Sequence, residues 1–134
     1  MTRAPMMKVL VVDDSPVMRR LIMRALAVAG LSDAEVREAS DGREALTQLR
    51  STTFDLLLCD LTMPEMGGLD LLRELAASDG MQRTVAIVIS SNRTASSRTA
   101  ALALGARAFV HKPFRPESFG LLVLDVLERE AARC

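Results

Sequence analysis

Short apolar runs alternate with longer stretches of helical periodicity from one end of the chain to the other. The segment 7–12 contains Val9-Leu-Val-Val12, which is β-branched, continuously apolar and too short for a helix, and so predicts a buried strand. Ser15 then offers a cap, with Pro16 at the favoured first helical position. Met18, Leu21, Ile22, Ala25, Leu26 and Ala29 fall on one helical face, and Gly30 ends that helix. A second strand is expected over 35–39. Asp41-Gly-Arg-Glu44 resembles a capping box opening a helix that runs to about residue 50.

Asp55-Leu-Leu-Leu-Cys-Asp60 predicts a third strand, apolar on both faces. A loop with Pro64 and Gly67-Gly68 follows, then a helix over 69–78. Residues 84–90 predict a fourth strand, 95–104 a weakly amphipathic helix closed by Gly105, 107–111 a fifth strand and 116–131 a last helix. Strict alternation of apolar strands with helices means a parallel sheet covered on both faces. Five such units are too few for an eight-stranded barrel. The expected fold class is therefore α/β: an open, doubly wound, five-stranded parallel sheet with five helices. In such sheets the functional crevice lies beyond the C-terminal ends of the strands.

Composition narrows the function. A chain of 134 residues supports one domain, which buries roughly 68% of its unfolded surface and needs no staple. Lys+Arg and Asp+Glu are tied at 17 each, so the basic excess of a nucleic-acid binder is absent. Aromatic stacking is equally unsuited to a chain with four Phe and no Trp or Tyr. Cys59 and Cys134 lie far apart, which is cytosolic usage and not a disulfide framework. No apolar run is long enough for a signal peptide or a membrane span. A cytoplasmic protein without membrane or nucleic-acid partners is expected.

The strand ends hold the chemistry. Strand one ends in Asp13-Asp14, strand three in Asp60, strand four in Ser90-Ser91 and strand five in Lys112-Pro113. Each alone is unremarkable: a strand-end Asp caps a helix or forms a turn, a Ser turns the chain, a Lys is a solvated charge. Together they bring three carboxylates, hydroxyls and an ammonium to one edge, and close like charges call for a counter-ion. All-oxygen ligands suit a hard divalent cation such as Mg²⁺, and a lysine beside it suits a phosphate. His111 is the only histidine, which disfavours zinc and excludes a Ser-His-Asp hydrolase. Asp14-Ser15-Pro16 replaces any Gly-rich phosphate loop. A second acid two residues after Asp60, as an aspartyl phosphatase of the haloacid dehalogenase type carries, is missing.

Four motifs resemble a known family: Val9-Leu-Val-Val-Asp-Asp-Ser15, Asp60-Leu-Thr-Met-Pro-Glu-Met-Gly-Gly68, Ile89-Ser-Ser91 and Phe109-Val-His-Lys-Pro-Phe114. They look like the receiver domain of bacterial two-component response regulators, in particular its single-domain, CheY-like members. The resemblance implies a receiver over 7–131 after a flexible tail at 1–6, with no output domain, and a strand order of 2-1-3-4-5. It implies that Asp60 is the phosphoacceptor for a sensor histidine kinase or histidine phosphotransfer domain. Mg²⁺ (or Mn²⁺) would be bound by Asp14 and Asp60 directly, by Asp13 largely through water and by the Thr62 carbonyl. Ser90, Ser91 and Lys112 would hold phosphoryl oxygens, Lys112-Pro113 would be a cis peptide, and Ser90 with Phe109 would form the switch.

Further expectations follow from the same likeness. The chain would catalyse its own phosphorylation and dephosphorylation and act on a downstream protein through its helix4-strand5-helix5 face, as a monomer or weak dimer. A phosphate sink and a phosphorylation-independent scaffold are the alternatives. Three positions depart from the family's frequent pattern: Thr62 for an amide, Asn92 for an acid and Phe109 for a tyrosine. Arg19, Arg20 and Arg24 lie off the core stripe of the first helix, where similar receivers dock their kinase or phosphotransfer partner. Leu121 and Leu124 point away from the inward stripe of the last helix.

Overall fold

In a computed structural model the chain is described over residues 6–92 and 94–132. The expected tail at 1–6 therefore falls, except for Met6, outside the described residues, as does Cys134. Five strands, β1 (Lys8–Val12), β2 (Glu35–Ala39), β3 (Leu56–Asp60), β4 (Val85–Ser90) and β5 (Ala108–His111), alternate with five helices. The helices are α1 (Pro16–Val28), α2 (Gly42–Ser51), α3 (Gly68–Ala77), α4 (Ala95–Ala103) and α5 (Pro116–Ala132). One short 3₁₀ turn, Gly80–Gln82, separates α3 from β4 and has no counterpart in the sequence expectation.

All strand pairs are parallel and the order is β2-β1-β3-β4-β5, as expected. Side chains alternate across the sheet, so each strand feeds two cores. Leu10, Val12, Leu57, Cys59, Ala86, Val88 and Phe109 meet α2, α3 and α4 on one face. Val9, Val11, Leu56, Leu58, Ile87 and Ile89 meet α1 and α5 on the other. Every residue of β3 is buried, which is why that strand reads as apolar throughout. Among the described residues no helix is long and apolar enough to cross a membrane.

The caps fall where expected, with one difference. Ser15 accepts the Met18 N–H and Asp41 accepts the Glu44 N–H. The Glu44 carboxylate does not complete the box; it takes the Ser40 hydroxyl at 2.9 Å instead. Two expectations about exposed faces are corrected. Leu121 is 68% exposed, but Leu124 is half-buried. Arg20 and Arg24 face solvent, whereas the Arg19 side chain is only 16% exposed and points back to the sheet.

Candidate functional site

Three loops at the C-terminal edge of the sheet assemble the site. Asp13 follows β1, its N–H bonded to Ala39 O on the edge strand at 3.1 Å. Its Oδ1 accepts the Ser15 N–H at 2.9 Å, a local turn that leads into the Ser15 cap of α1. Asp13 is buried and Asp14, the next residue, is exposed. Asp60 closes β3 and is buried; its Oδ1 faces the Thr62 N–H at 3.4 Å. The chain then turns sharply into α3, and the turn needs Gly68: a Cβ there would collide with the Asp60 carbonyl oxygen.

Lys112 comes from the far end of the sheet, anchored by its N–H to Ser90 O at 2.9 Å and followed by a cis peptide to Pro113. Its Nζ donates to Asp13 Oδ2 at 2.8 Å and to Asp60 Oδ2 at 3.1 Å. The sequence called for a counter-ion, and within the chain that counter-ion is this ammonium. Carboxylate oxygens of Asp13, Asp14 and Asp60 all lie within 4.8 Å of one another.

Electrostatics follow from burial. Desolvation raises the Asp60 carboxyl above its ordinary value, and the Lys112 charge and hydrogen bond offset this only in part. Burial alone would lower the Lys112 ammonium, but its hydrogen bond to Asp13 and the attraction of both acids outweigh it, so the net shift is upward. Lys112 is thus firmly charged. Cys59, wholly buried, has its thiol pushed far up by desolvation and then by Asp60 and Asp13, so it holds its proton and bonds to the Asp60 carbonyl at 3.2 Å.

Ser90 and Ser91 end β4. Ser90 is fully buried and its Oγ accepts the Asn92 N–H at 3.0 Å; Ser91 and Thr62 are exposed. By alternation Ser90 shares the face of Val88, and Phe109 lies on that same face, buried and edge-on to His111 at 5.4 Å. The expected switch pair therefore stands on one face of adjacent strands. His111 pairs with Ser90 in the register, and its buried Nδ1 has no hydrogen-bond partner among the described residues. Sequence reasoning missed Arg19. Its Nη1 donates to the Asp13 carbonyl at 2.7 Å and its Nε to Glu38 Oε1 at 2.8 Å.

The donor set fits a hard cation. It is all oxygen, close-spaced and half open to solvent through Asp14, with no imidazole or thiolate in the cluster among the described residues. The 2-1-3-4-5 sheet with an acidic cluster and a lysine at its strand ends is the arrangement that the resemblance to receivers implies.

Residues 9–123 match the response regulator receiver domain, and the chain belongs to that family. The chemotaxis protein CheY of Pseudomonas aeruginosa is 33% identical over 123 residues, covering 92% of this chain and 98% of its own. CheY-3 of Vibrio cholerae is 32% identical over 123 residues, covering 92% and 93%. Among solved structures, the chemotaxis response regulator CheY4 of Vibrio cholerae superposes with a TM-score of 0.80 at 30% identity, covering 91% of this chain and 99% of that one. The chain is a receiver of CheY-type response regulators, the signalling domain of two-component systems, and such receivers use Mg²⁺ at an acidic pocket.

Proposed function

We propose that Asp60 accepts a phosphoryl group from a phosphohistidine of a sensor kinase or phosphotransfer domain, and that the resulting aspartyl phosphate switches binding to a downstream protein. The observation that carries this reading is the Asp13–Lys112–Asp60 bridge beside the exposed Asp14. An Asp60 carboxylate oxygen attacks phosphorus, the P–N bond breaks, and its electron pair stays on the leaving imidazole. Phosphoryl transfer demands little covalent help, so positioning and charge neutralisation dominate. Mg²⁺ or Mn²⁺, held by Asp13, Asp14, Asp60 and the Thr62 carbonyl, supplies neutralisation of the phosphoryl charge when bound.

Lys112 then has a second anion to serve. The product carries about two negative charges, and the ammonium that spans Asp13 and Asp60 pairs with a phosphoryl oxygen instead. Ser90 and Ser91 donate to other phosphoryl oxygens; the Ser90 Oγ accepts the Asn92 N–H through a lone pair, which leaves its own proton to donate. Movement of that hydroxyl frees space on the face where Phe109 lies, and two states of one packed element carry the signal outward. Leu121 on α5 and the helices around β5 form the output face, while exposed Arg20 and Arg24 on α1 receive the phosphodonor protein.

The test uses acetyl phosphate with Mg²⁺ or with chelator, read by intact mass. One phosphoryl group is expected on the wild type with Mg²⁺ and none on Asp60→Asn. Equal labelling of the two proteins would overturn the assignment.

A further inference from the structure

We propose that Arg19 is a positioning residue for the metal site, bracing the backbone that aims Asp14. The inference rests on the reading of Asp13 and Asp14 as metal ligands. Asp13 is held by four groups: its N–H by Ala39 O, its Oδ1 by the Ser15 N–H, its Oδ2 by Lys112 and its carbonyl by Arg19. The first three fix Asp13 itself. The fourth does something different.

The Asp13 carbonyl belongs to the rigid peptide plane that joins Asp13 to Asp14. Fixing that oxygen fixes the direction in which Asp14 leaves the strand. Asp14 is exposed, and its carboxylate makes no hydrogen bond among the described residues, so its aim depends on its backbone. The guanidinium that holds the carbonyl is itself anchored, through Nε, to Glu38 on the edge strand β2. With only 16% of the side chain exposed, the fork is shielded from water and bonds two acceptors at fixed angles. Loop, first helix and edge strand are locked around the acidic pair through one residue.

Charge alone predicts the opposite effect of removing it. Arg19 is a cation near three carboxylates, so its loss should tighten binding of a divalent ion if Coulomb attraction were all that mattered. Bracing predicts weaker binding. The sign of the change separates the two.

The experiment is calorimetric titration of Mg²⁺ into wild type, Arg19→Met, Arg19→Lys, Glu38→Gln and Asp14→Asn, with thermal melts of each in chelator and in excess Mg²⁺. Arg19→Met keeps the aliphatic stem and loses every donor; its affinity should fall roughly tenfold, the scale seen when groups that orient a metal ligand are removed. Arg19→Lys should recover part of that loss through one donor to the carbonyl. Glu38→Gln should weaken binding in the same direction, as loss of its charge alone would; if Arg19→Met does not fold, the charge-preserving Arg19→Lys decides, because charge alone predicts no change for it and bracing predicts a partial loss. A residue that only stabilises the fold would lower the melting midpoint equally in chelator and in Mg²⁺, leaving affinity unchanged. Unchanged or tighter Mg²⁺ binding by the folded Arg19 or Glu38 variants overturns the proposal. Asp14→Asn guards the premise: if it binds Mg²⁺ like the wild type, the metal-site reading itself fails, whereas its loss of binding beside an unaffected Arg19→Met sinks the bracing role alone.

Discussion

Replacing Lys112 by Met removes one ammonium and leaves two buried carboxylates facing each other. Contacts of 2.8 and 3.1 Å correspond to a gross attraction of roughly 5–6 kcal/mol each at an effective dielectric near 20. Desolvation of the three groups offsets most of that, and breaking a buried pair from one side typically costs about 3–5 kcal/mol net. Protonation of Asp60, which burial already favours, limits the loss, so the low end applies: about 3 kcal/mol at neutral pH. For a domain of this size that is roughly a 10 °C drop in the melting midpoint. The Lys112 ammonium has a raised value, so its contribution is complete below the ordinary 10.5 and is lost as pH rises through the higher folded value. The gap between wild type and Lys112→Met should also narrow in acid, where Asp60 takes a proton. Melts in chelator across pH decide the matter. A variant that melts within about 2 °C of the wild type at neutral pH would refute a buried bridge.

Two more outcomes follow from the site. In chelator at neutral pH, Asp60→Asn should melt above the wild type, because burial raises the Asp60 carboxyl and its ionised form opposes folding. That advantage is absent below the ordinary value of 3.8, grows as pH climbs from there to the raised folded value and is constant above it; an Asn variant that melts lower at neutral pH would contradict it. His111→Leu should raise the unfolding free energy measured in urea by about 1 kcal/mol, the low end for relieving an unpaired buried polar atom, and a lower value would mean the Nδ1 is satisfied by solvent.

Much of this fold is legible in the apolar pattern, because strands buried on both faces read as continuous runs and the caps carry their own chemistry. Each strand lies within a residue of its expected bounds. The 3₁₀ turn Gly80–Gln82 has no such signature, since three residues cannot show a period. Strand ends identified Asp13, Asp14, Asp60, Ser90 and Lys112 as neighbours, yet not that the lysine already bridges two of the acids. That contact spans 99 residues of sequence and depends on strand order, which came from family resemblance. The core stripe of the first helix, drawn through its apolar residues, leaves Arg19 outside it. Its spacing told otherwise: it lies three residues before Ile22 and seven before Leu26, both buried, on the face that looks at the sheet. Leu124 lies off the inward stripe by spacing, next to the buried Val123, and is half-buried at the edge of that stripe.

In the proposed mechanism residue 60, and no other, carries the phosphoryl group. An aspartyl phosphate is an acyl phosphate, so borohydride reduces it to homoserine at the modified position while ordinary carboxylates survive. After treatment with acetyl phosphate and Mg²⁺, then borohydride, peptide mass mapping should find homoserine at position 60 and at neither 13 nor 14. Homoserine at Asp13 or Asp14, or labelled protein with an unaltered Asp60, would contradict the account.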